Sequence, residues 1–222
     1  SFFDQYASLF GGSSAFSSGW SDSEYDASYS STQSQSSSSS QAAAAVDTTV
    51  ADGARAKRTQ IAGGGRDTIT IMVFMCGADL ESKSGMASSD LKEMTNATIS
   101  DNINLIVYTG GATKWQNSVI SSSVYQIYQV KSGGVACLNN NAGNGAMTDP
   151  GTLSSFIQWA GSNFPANRYE LIFWDHGSGS VSGYGYDEKK PNSGSMALSG
   201  INTALKNGGG ELHFIGSHRR PM

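Results

Sequence analysis

The side chains best suited to chemistry stand where an apolar run ends. Leu171–Trp174 is continuously apolar and predicts a short buried strand, and Asp175 and His176 follow it just before Gly177. A strand that ends on an imidazole and then turns through glycine leaves the ring at the carboxyl edge of its sheet, where open α/β sheets bind ligands. From this pattern alone, His176 is either a hydrogen-bonded histidine that ends a strand or an acid–base residue of a site.

Two cysteines are the other nucleophilic candidates. Cys76 ends the apolar run Ile69–Met75 and is expected to be a buried thiol, and Cys137 is also expected to be buried. The sequence has no Cys-x-x-Cys and no Cys/His cluster, so a zinc site is not expected. A disulfide between the two stays open, because sequence spacing does not decide it.

Hydrophobic spacing predicts the elements that would position the imidazole. Apolar runs at Ile69–Phe74 and Ile103–Tyr108 predict buried strands, and Gly85–Ala97 between them has helical spacing of apolar residues. Strand, helix and strand together predict a right-handed parallel crossover. Asp79 and Glu81 follow the first strand, so they would either face the same sheet edge or cap the next helix.

The remaining sequence predicts four further features. Alternation over Val124–Val130 predicts a half-exposed antiparallel arm or edge hairpin, and Gly133–Gly145 is rich in Asn and Gly and predicts a loop. Asp149 precedes a proline and predicts a capped helix start. A helix over Ser195–Lys206 and a last strand from Leu212 to Gly216 follow.

The amino-terminal third differs in composition from the rest. Residues 1–66 are rich in Ser, Gly and Ala, with a Ser/Gln tract over Ser30–Gln41, and such a segment buries too little apolar surface to offset its ordering entropy. We therefore predict a flexible leader or tether over 1–66 and a folded domain over 67–222. A Ser-rich leader suits a secreted or cell-surface protein, and a first residue other than Met indicates a processed or cut piece.

Composition also argues against several functional classes. The net charge of -4 gives no reason to expect a nucleic-acid partner. No apolar run approaches the roughly 20 residues that a membrane span needs. Gly63–Gly65 precede a strand instead of following one, and no Gly-Lys-Ser/Thr follows them, so they do not form a phosphate-binding loop.

Three stretches together resemble the clostripain-like cysteine peptidases. They are residues 71–82, 88–94 and 169–179, which read IMVFMCGADLES, SSDLKEM and YELIFWDHGSG, and the resemblance covers Asp67–Gly216. It implies an α/β, caspase-like three-layer sandwich with a mostly parallel central sheet flanked by helices, incomplete in this chain. It also implies a cysteine endopeptidase with protein or peptide substrates, cleaved after Arg or Lys through an acidic pocket, and calcium as a cofactor in some members.

The resemblance also implies roles for individual residues. His176 would be the acid/base, and the amide of Gly177 would help to hold the oxyanion of the tetrahedral intermediate. Lys189 and Lys190 lie in the loop in which family members cleave themselves. The bond after Lys189 is favoured there, because Pro191 disfavours cleavage after Lys190.

The end of the chain departs from the family pattern. Where the family reads Phe-Asp-Ala-Cys-Leu-Met after its last apolar block, residues 217–222 read SHRRPM. The register puts Arg220 in the place of the nucleophile and His218 in that of the acidic residue. Cys76, at the end of the first strand, is in the wrong place to substitute. We therefore expect this polypeptide to have no peptidase activity by itself.

Three interpretations follow from that departure. The chain is a truncated or frame-disrupted peptidase, an amino-terminal piece whose partner chain carries the nucleophile, or a non-catalytic secreted or surface binding domain that keeps the peptidase fold. The first is favoured, because the terminal hexapeptide fits neither a strand end nor a helix start. Absent carboxyl-terminal strands would leave an exposed sheet edge, which predicts poor solubility or aggregation.

Overall fold

The computed structural model describes residues 66–176 and 183–218. The predicted leader over 1–66 lies almost entirely outside these ranges. Within them the chain forms six strands of one sheet and four α-helices. The strands are β1 Ile69–Cys76, β2 Ile103–Gly110, β3 Gln126–Lys131, β4 Gly134–Asn139, β5 Arg168–Trp174 and β6 Phe214–His218; the helices are α1 Ala78–Ser82, α2 Met86–Asn96, α3 Pro150–Asn163 and α4 Leu198–Gly208, with a 3-10 turn at Pro191–Ser193.

The sheet has the order β4-β3-β2-β1-β5-β6, with β1 near its centre. Strands β2, β1, β5 and β6 run parallel, and β3 and β4 form an antiparallel hairpin at one side. Met75 pairs with Trp174, and Trp174 pairs in turn with His218. The carboxyl ends of β1, β5 and β6 therefore lie side by side, so the loops that follow them meet at one edge.

Each face of the sheet carries its own apolar core, because successive side chains of a strand point to opposite faces. Val73 and Met75 of β1 pack in the core that contains the buried side chains of α2. Phe74 and Cys76 pack in the core that contains the buried side chains of α3 and Ala204 of α4. One helical layer thus covers each face, and the α/β three-layer sandwich expected for a caspase-like fold is confirmed.

The start of α3 follows from its sequence. Asp149 is the N-cap residue, and its carboxylate accepts a hydrogen bond of 2.6 Å from the backbone N–H of Gly151. Pro150 takes the first helical position, where the missing N–H has no intrahelical partner to lose. The predicted helix start is confirmed, and such a cap contributes about 1 kcal/mol.

The predicted antiparallel edge hairpin is confirmed, since β3 and β4 pair antiparallel at one side of the sheet. Two details of the prediction are wrong. β3 is buried on both faces instead of half-exposed, because Ile127 enters one core while Tyr128 and Val130 enter the other. The predicted loop Gly133–Gly145 contains β4, which pairs with β3 through a tight turn in which Gly133 adopts a φ of +88°.

The cysteines differ from expectation in one case. Cys76 is buried as predicted, but Cys137 is exposed, because β4 is the edge strand of the sheet and its residues 136–138 face solvent. Both thiols are free, and β2 and β3 separate the strands that carry them. The disulfide that the sequence left open is therefore not formed.

The last elements are shifted relative to the sequence prediction. β6 ends at His218 instead of Gly216, and His218 is buried, so the first two residues of the terminal hexapeptide do form a strand end. α4 begins at Leu198, since Met196 forms an isolated bridge with Tyr184 before the helix starts.

Candidate active site

An imidazole and a carboxylate meet at the carboxyl edge of the neighbouring strands β1 and β5. His176 lies two residues beyond β5, and Asp79 lies in α1, three residues beyond β1. His176 Nε2 is 2.6 Å from Asp79 Oδ1, and both side chains are partly exposed to solvent. The parallel pairing of β1 with β5 creates this contact between residues that are 97 positions apart.

A strained backbone turn aims Asp79 at the ring. Ala78 has a φ of +44°, and it is the one non-glycine residue with a positive φ in the described part of the chain. That conformation costs an L-residue roughly 1–2 kcal/mol, and it reverses the chain directly after β1. The strain is located at the residue that precedes the contact with His176, as is common where a site fixes the backbone.

The electrostatics of Asp79 favour its ionised form. The hydrogen bond with His176 lowers the pKa of Asp79, partial burial opposes this, and Lys83, with Nζ at 3.3 Å, lowers it further. An ionised carboxylate accepts a proton-bearing nitrogen, so neutral His176 carries its proton on Nε2. Its Nδ1 has no hydrogen-bond partner within residues 66–176 and 183–218, which leaves that atom available to a reacting group.

Asp175 stabilises the backbone next to His176 through hydrogen bonds. Its side chain is buried, and its two oxygens accept hydrogen bonds from the backbone N–H groups of His176 and Tyr186, the latter at 2.8 Å. Burial raises the pKa of Asp175 to about 6, and these hydrogen bonds limit the rise. Asp175 thereby ties the two ends of the loop after β5. Residues 177–182 lie outside the described ranges, so Gly177, predicted to hold the oxyanion, is not placed.

Cys76 lies at the end of β1, close to the same edge, but its surroundings make the thiol unreactive. Its Sγ donates to the carbonyl oxygen of Tyr186 at 3.3 Å, and it has no exposed surface. Burial, and then the charge of Asp175, raise the pKa of the Cys76 thiol well above its usual value. A thiol that stays protonated and inaccessible is a poor nucleophile.

The two carboxylates that follow β1 have separate roles. Asp79 faces the site, whereas Glu81 is fully buried and accepts hydrogen bonds from the backbone N–H groups of Ser88 and Gln116, at 2.8 and 2.6 Å. Glu81 thus caps the first turn of α2 and holds the chain beyond β2. The sequence named both roles, and the fold assigns one to each residue.

The two lysines predicted as self-cleavage residues have different surroundings. The Lys189 ammonium donates to the carbonyl oxygen of Ser122 and lies 4.8 Å from the centre of the Tyr125 ring. Burial lowers the pKa of Lys189. Lys190 is exposed. The side chain of Lys189 is therefore held against the domain, while that of Lys190 is in solvent.

Asp187 and Glu188 fasten this segment, and sequence reasoning missed their contacts. Buried Asp187 accepts hydrogen bonds from the hydroxyl of Tyr125 and the backbone N–H of Lys189, at 2.7 and 2.9 Å. Glu188 accepts from the hydroxyls of Ser82 and Thr113, at 2.9 and 3.0 Å. The bond to Lys189 is local, but Tyr125, Ser82 and Thr113 are far away in sequence, and no local pattern signals their contacts.

The pairing of β5 with β6 aligns the carboxyl ends of the two strands. Trp174 pairs with His218, and each is the last paired residue of its strand. His176 and Arg220 both follow two residues later in the sequence, although Arg220 lies outside the described ranges. His218 Nε2 is 3.1 Å from Oδ2 of Asp90, which also accepts a 2.7 Å hydrogen bond from Trp174 Nε1. Asp90 of α2 thus joins the ends of β5 and β6.

A calcium site does not arise from the residues that are placed. In the described ranges, no three or more side chains of His, Cys, Asp and Glu are grouped so that they could hold a metal ion. Among residues 66–176 and 183–218, no helix has the length and apolar character needed to cross a membrane.

Comparisons with known proteins give a consistent family and fold. A family model described as the clostripain family matches residues 73–217. A search of curated proteins finds no match. Two solved structures are similar over 68% of this chain with a TM-score of 0.50 and 22% identity: a secreted C11 cysteine protease of Bacteroides thetaiotaomicron in complex with an irreversible peptide inhibitor, and an inactive zymogen C11 protease of Parabacteroides distasonis.

A further structure of a secreted C11 cysteine protease of Bacteroides thetaiotaomicron, called iotapain, is similar with a TM-score of 0.52, at 13% identity and over 68% of this chain. At these identities the likeness concerns the fold. The chain spans 42%, 41% and 45% of the three solved chains, which is less than half of each.

Proposed function

The chain belongs to the clostripain family of cysteine peptidases, and from this premise we propose that it supplies the histidine-bearing part of an endopeptidase that cleaves proteins or peptides after Arg or Lys. The observation that carries the proposal is the position of His176. Its ring stands at the carboxyl edge of β5, and β6, whose continuation would carry the nucleophile, runs beside that strand. The preference for Arg and Lys rests on the family resemblance alone.

The proposed reaction uses His176 twice. The imidazole takes the proton of a cysteine thiol, and the thiolate attacks the scissile carbonyl. The amide of Gly177 would hold the oxyanion that forms. The imidazolium then gives its proton to the leaving amine. In the second half, His176 takes a proton from the water that attacks the thioester and gives it to the departing sulfur, which releases the acid and restores the thiol. Each proton that His176 accepts is therefore returned within one cycle.

The nucleophile's position carries Arg220 in this chain, so the chain alone has no thiol at that position. We expect no turnover of Arg- or Lys-terminated fluorogenic peptides by the purified chain, with reductant and calcium present. Robust turnover that Cys76→Ala abolishes would overturn the assignment of the nucleophile.

Restoring a thiol at position 220 tests the pairing with His176 directly. We expect the introduced thiol of Arg220→Cys to react with iodoacetamide at mildly acidic pH much faster than Cys137, which is an exposed internal reference. Adding His176→Ala should remove the difference. Equal reactivity of the two thiols, unchanged by His176→Ala, would contradict the proposed dyad. Faster labelling of the same variant by Arg- or Lys-peptide ketones than by a Leu-peptide ketone would support the substrate preference.

A non-catalytic binding domain that keeps the peptidase fold is the second candidate function. Arg220 at the nucleophile's position favours it, because a strongly basic side chain there cannot attack a carbonyl. In that case Arg220→Cys would gain no His176-dependent reactivity, so the same experiment separates the two functions.

Localisation and calcium dependence are further proposals. We place the protein in a secreted or cell-surface setting, supported by its Ser-rich leader and by the secreted C11 protease to which its fold is similar. Calcium dependence rests on the family resemblance. It predicts that calcium raises the thermal midpoint of unfolding above that measured with a chelator, and equal midpoints would contradict it.

A further inference from the structure

We propose that Asp79 is a positioning residue that fixes the His176 ring so that Nδ1, and not Nε2, exchanges protons with the nucleophile. The identity of the reaction rests on the proposed function. The ring orientation does not, because it can be measured in this chain without a nucleophile.

The Asp79 carboxylate makes few contacts besides the one with His176. Its carboxylate contacts His176 at 2.6 Å and Lys83 at 3.3 Å, and within the described residues it bonds no backbone N–H of α1. A residue whose role was to cap its own helix would make such a bond. The left-handed turn at Ala78 instead directs the carboxylate across to the loop after β5.

The chemistry follows from the occupied nitrogen. Because Asp79 accepts the Nε2 proton, Nδ1 of neutral His176 has a free lone pair. The thiol proton moves to Nδ1, and the resulting imidazolium is stabilised by the adjacent carboxylate while the thiolate attacks. The Nδ1 proton then passes to the leaving amine, and the Nε2 proton stays on the ring throughout.

The experiment is NMR of the full chain labelled with ¹⁵N at its histidines. The three histidine rings are assigned by comparison with His176→Gln. We expect the wild-type ring to be protonated at Nε2 and bare at Nδ1, with a downfield Nε2 proton in slow exchange. Asp79→Ala should abolish that resonance, and Asp79→Asn should retain a weaker one shifted upfield. Asp101→Asn, at an exposed carboxylate, is the matched control and should leave it unchanged.

Two results would overturn the proposal. One is a wild-type ring protonated at Nδ1, and the other is an Nε2 proton that is unchanged in Asp79→Ala. Circular dichroism of each variant establishes that it is folded. Because Asp79→Asn keeps the side-chain volume, it supplies the comparison if Asp79→Ala does not fold.

A second measurement joins the inference to the reaction. In the Arg220→Cys background, we expect Asp79→Ala to slow alkylation of the introduced thiol by about tenfold, the scale of one charged hydrogen bond, with partial rescue by Asp79→Asn. Loss of the Nε2 proton in Asp79→Ala, without any His176-dependent reactivity of the introduced thiol, would uphold the positioning role and reject the proposed dyad. An Nε2 proton that is unchanged in Asp79→Ala, together with His176-dependent reactivity of the introduced thiol, would uphold the proposed dyad and reject the positioning role.

Discussion

The hydroxyl of Tyr125 donates a 2.7 Å hydrogen bond to Oδ2 of Asp187. Tyr125 directly precedes β3, and Asp187 lies in the segment between β5 and α4, so the bond joins these two parts of the chain. The same oxygen accepts from the backbone N–H of Met147 at 2.8 Å, and the other accepts from that of Lys189. One buried carboxylate therefore satisfies donors from three separate parts of the chain.

Asp187→Asn is expected to destabilise the fold by about 2 kcal/mol. The amide group puts two donors where the carboxylate had only acceptors, so at least one buried donor loses its partner. Urea denaturation of wild type and variant measures the difference, and Asp101→Asn, at an exposed position, is the control. Equal midpoints for wild type and Asp187→Asn would show that these hydrogen bonds contribute little.

Trypsin should cut the native chain slowly after Lys189. The side chain must first leave the Tyr125 ring and the carbonyl oxygen of Ser122, and Pro191 disfavours cleavage after Lys190. We expect Asp187→Asn to speed this cleavage, because it releases the backbone N–H of Lys189. Lys189→Gln should abolish the cut and Lys190→Gln should leave it, as mass spectrometry of the fragments would show. Self-cleavage after Lys189 stays a prediction and needs the same release.

Acidification from neutral pH towards about pH 4 should stabilise the chain through Asp175. Its folded pKa of about 6 lies above the unfolded value of 3.8, so the folded state binds the proton more tightly. This contribution is complete below the unfolded pKa and is lost as the pH rises through about 6.

The lowered pKa of Asp79 acts in the opposite direction, but at and below its ordinary value of 3.8, which separates the two windows. Thermal unfolding across the pH range measures the effect of Asp175, and Asp175→Asn should flatten the profile between about pH 4 and 6. A variant with the wild-type slope would assign the pH dependence to other groups.

Gly111→Ala is expected to cost about 2 kcal/mol or more. Gly111 has a φ of +78°, and an added Cβ would lie 2.5 Å from Sγ of buried Cys76. Gly133→Ala is the matched control: Gly133 has a φ of +88°, but nothing lies within 4 Å of its added Cβ. Gly133→Ala should therefore be destabilised by backbone strain alone. Equal losses in the two variants, measured by denaturation, would show that contact with Cys76 adds nothing.

The central strands could be predicted from sequence because their signals are local. Both faces of β1, β2 and β5 are covered, so these strands read as continuous apolar runs, and their predicted bounds differ from the observed ones by three residues at most. β4 was missed because an edge strand needs no apolar run. Its Gly- and Asn-rich surroundings are typical of a loop, and pairing with β3 decides its structure.

The site was predictable in position but not in detail. That His176 would stand at a carboxyl edge followed from the apolar run before it, and that Asp79 or Glu81 would lie nearby followed from parallel order. Which carboxylate turns towards the ring depends on the left-handed backbone at Ala78. Alanine rarely adopts that conformation, so the sequence gives no signal for it. The contacts of Asp187 required the complete topology. The predicted poor solubility stays a prediction.

The placement of α4 and β6 has a consequence for any nick in the segment that precedes them. Both elements lie downstream of Lys189, yet α4 packs on α3 and β6 pairs with β5, which both lie upstream. Cutting the backbone there would divide the polypeptide without dividing the sheet, so the two fragments should remain a noncovalent complex that separates only on denaturation.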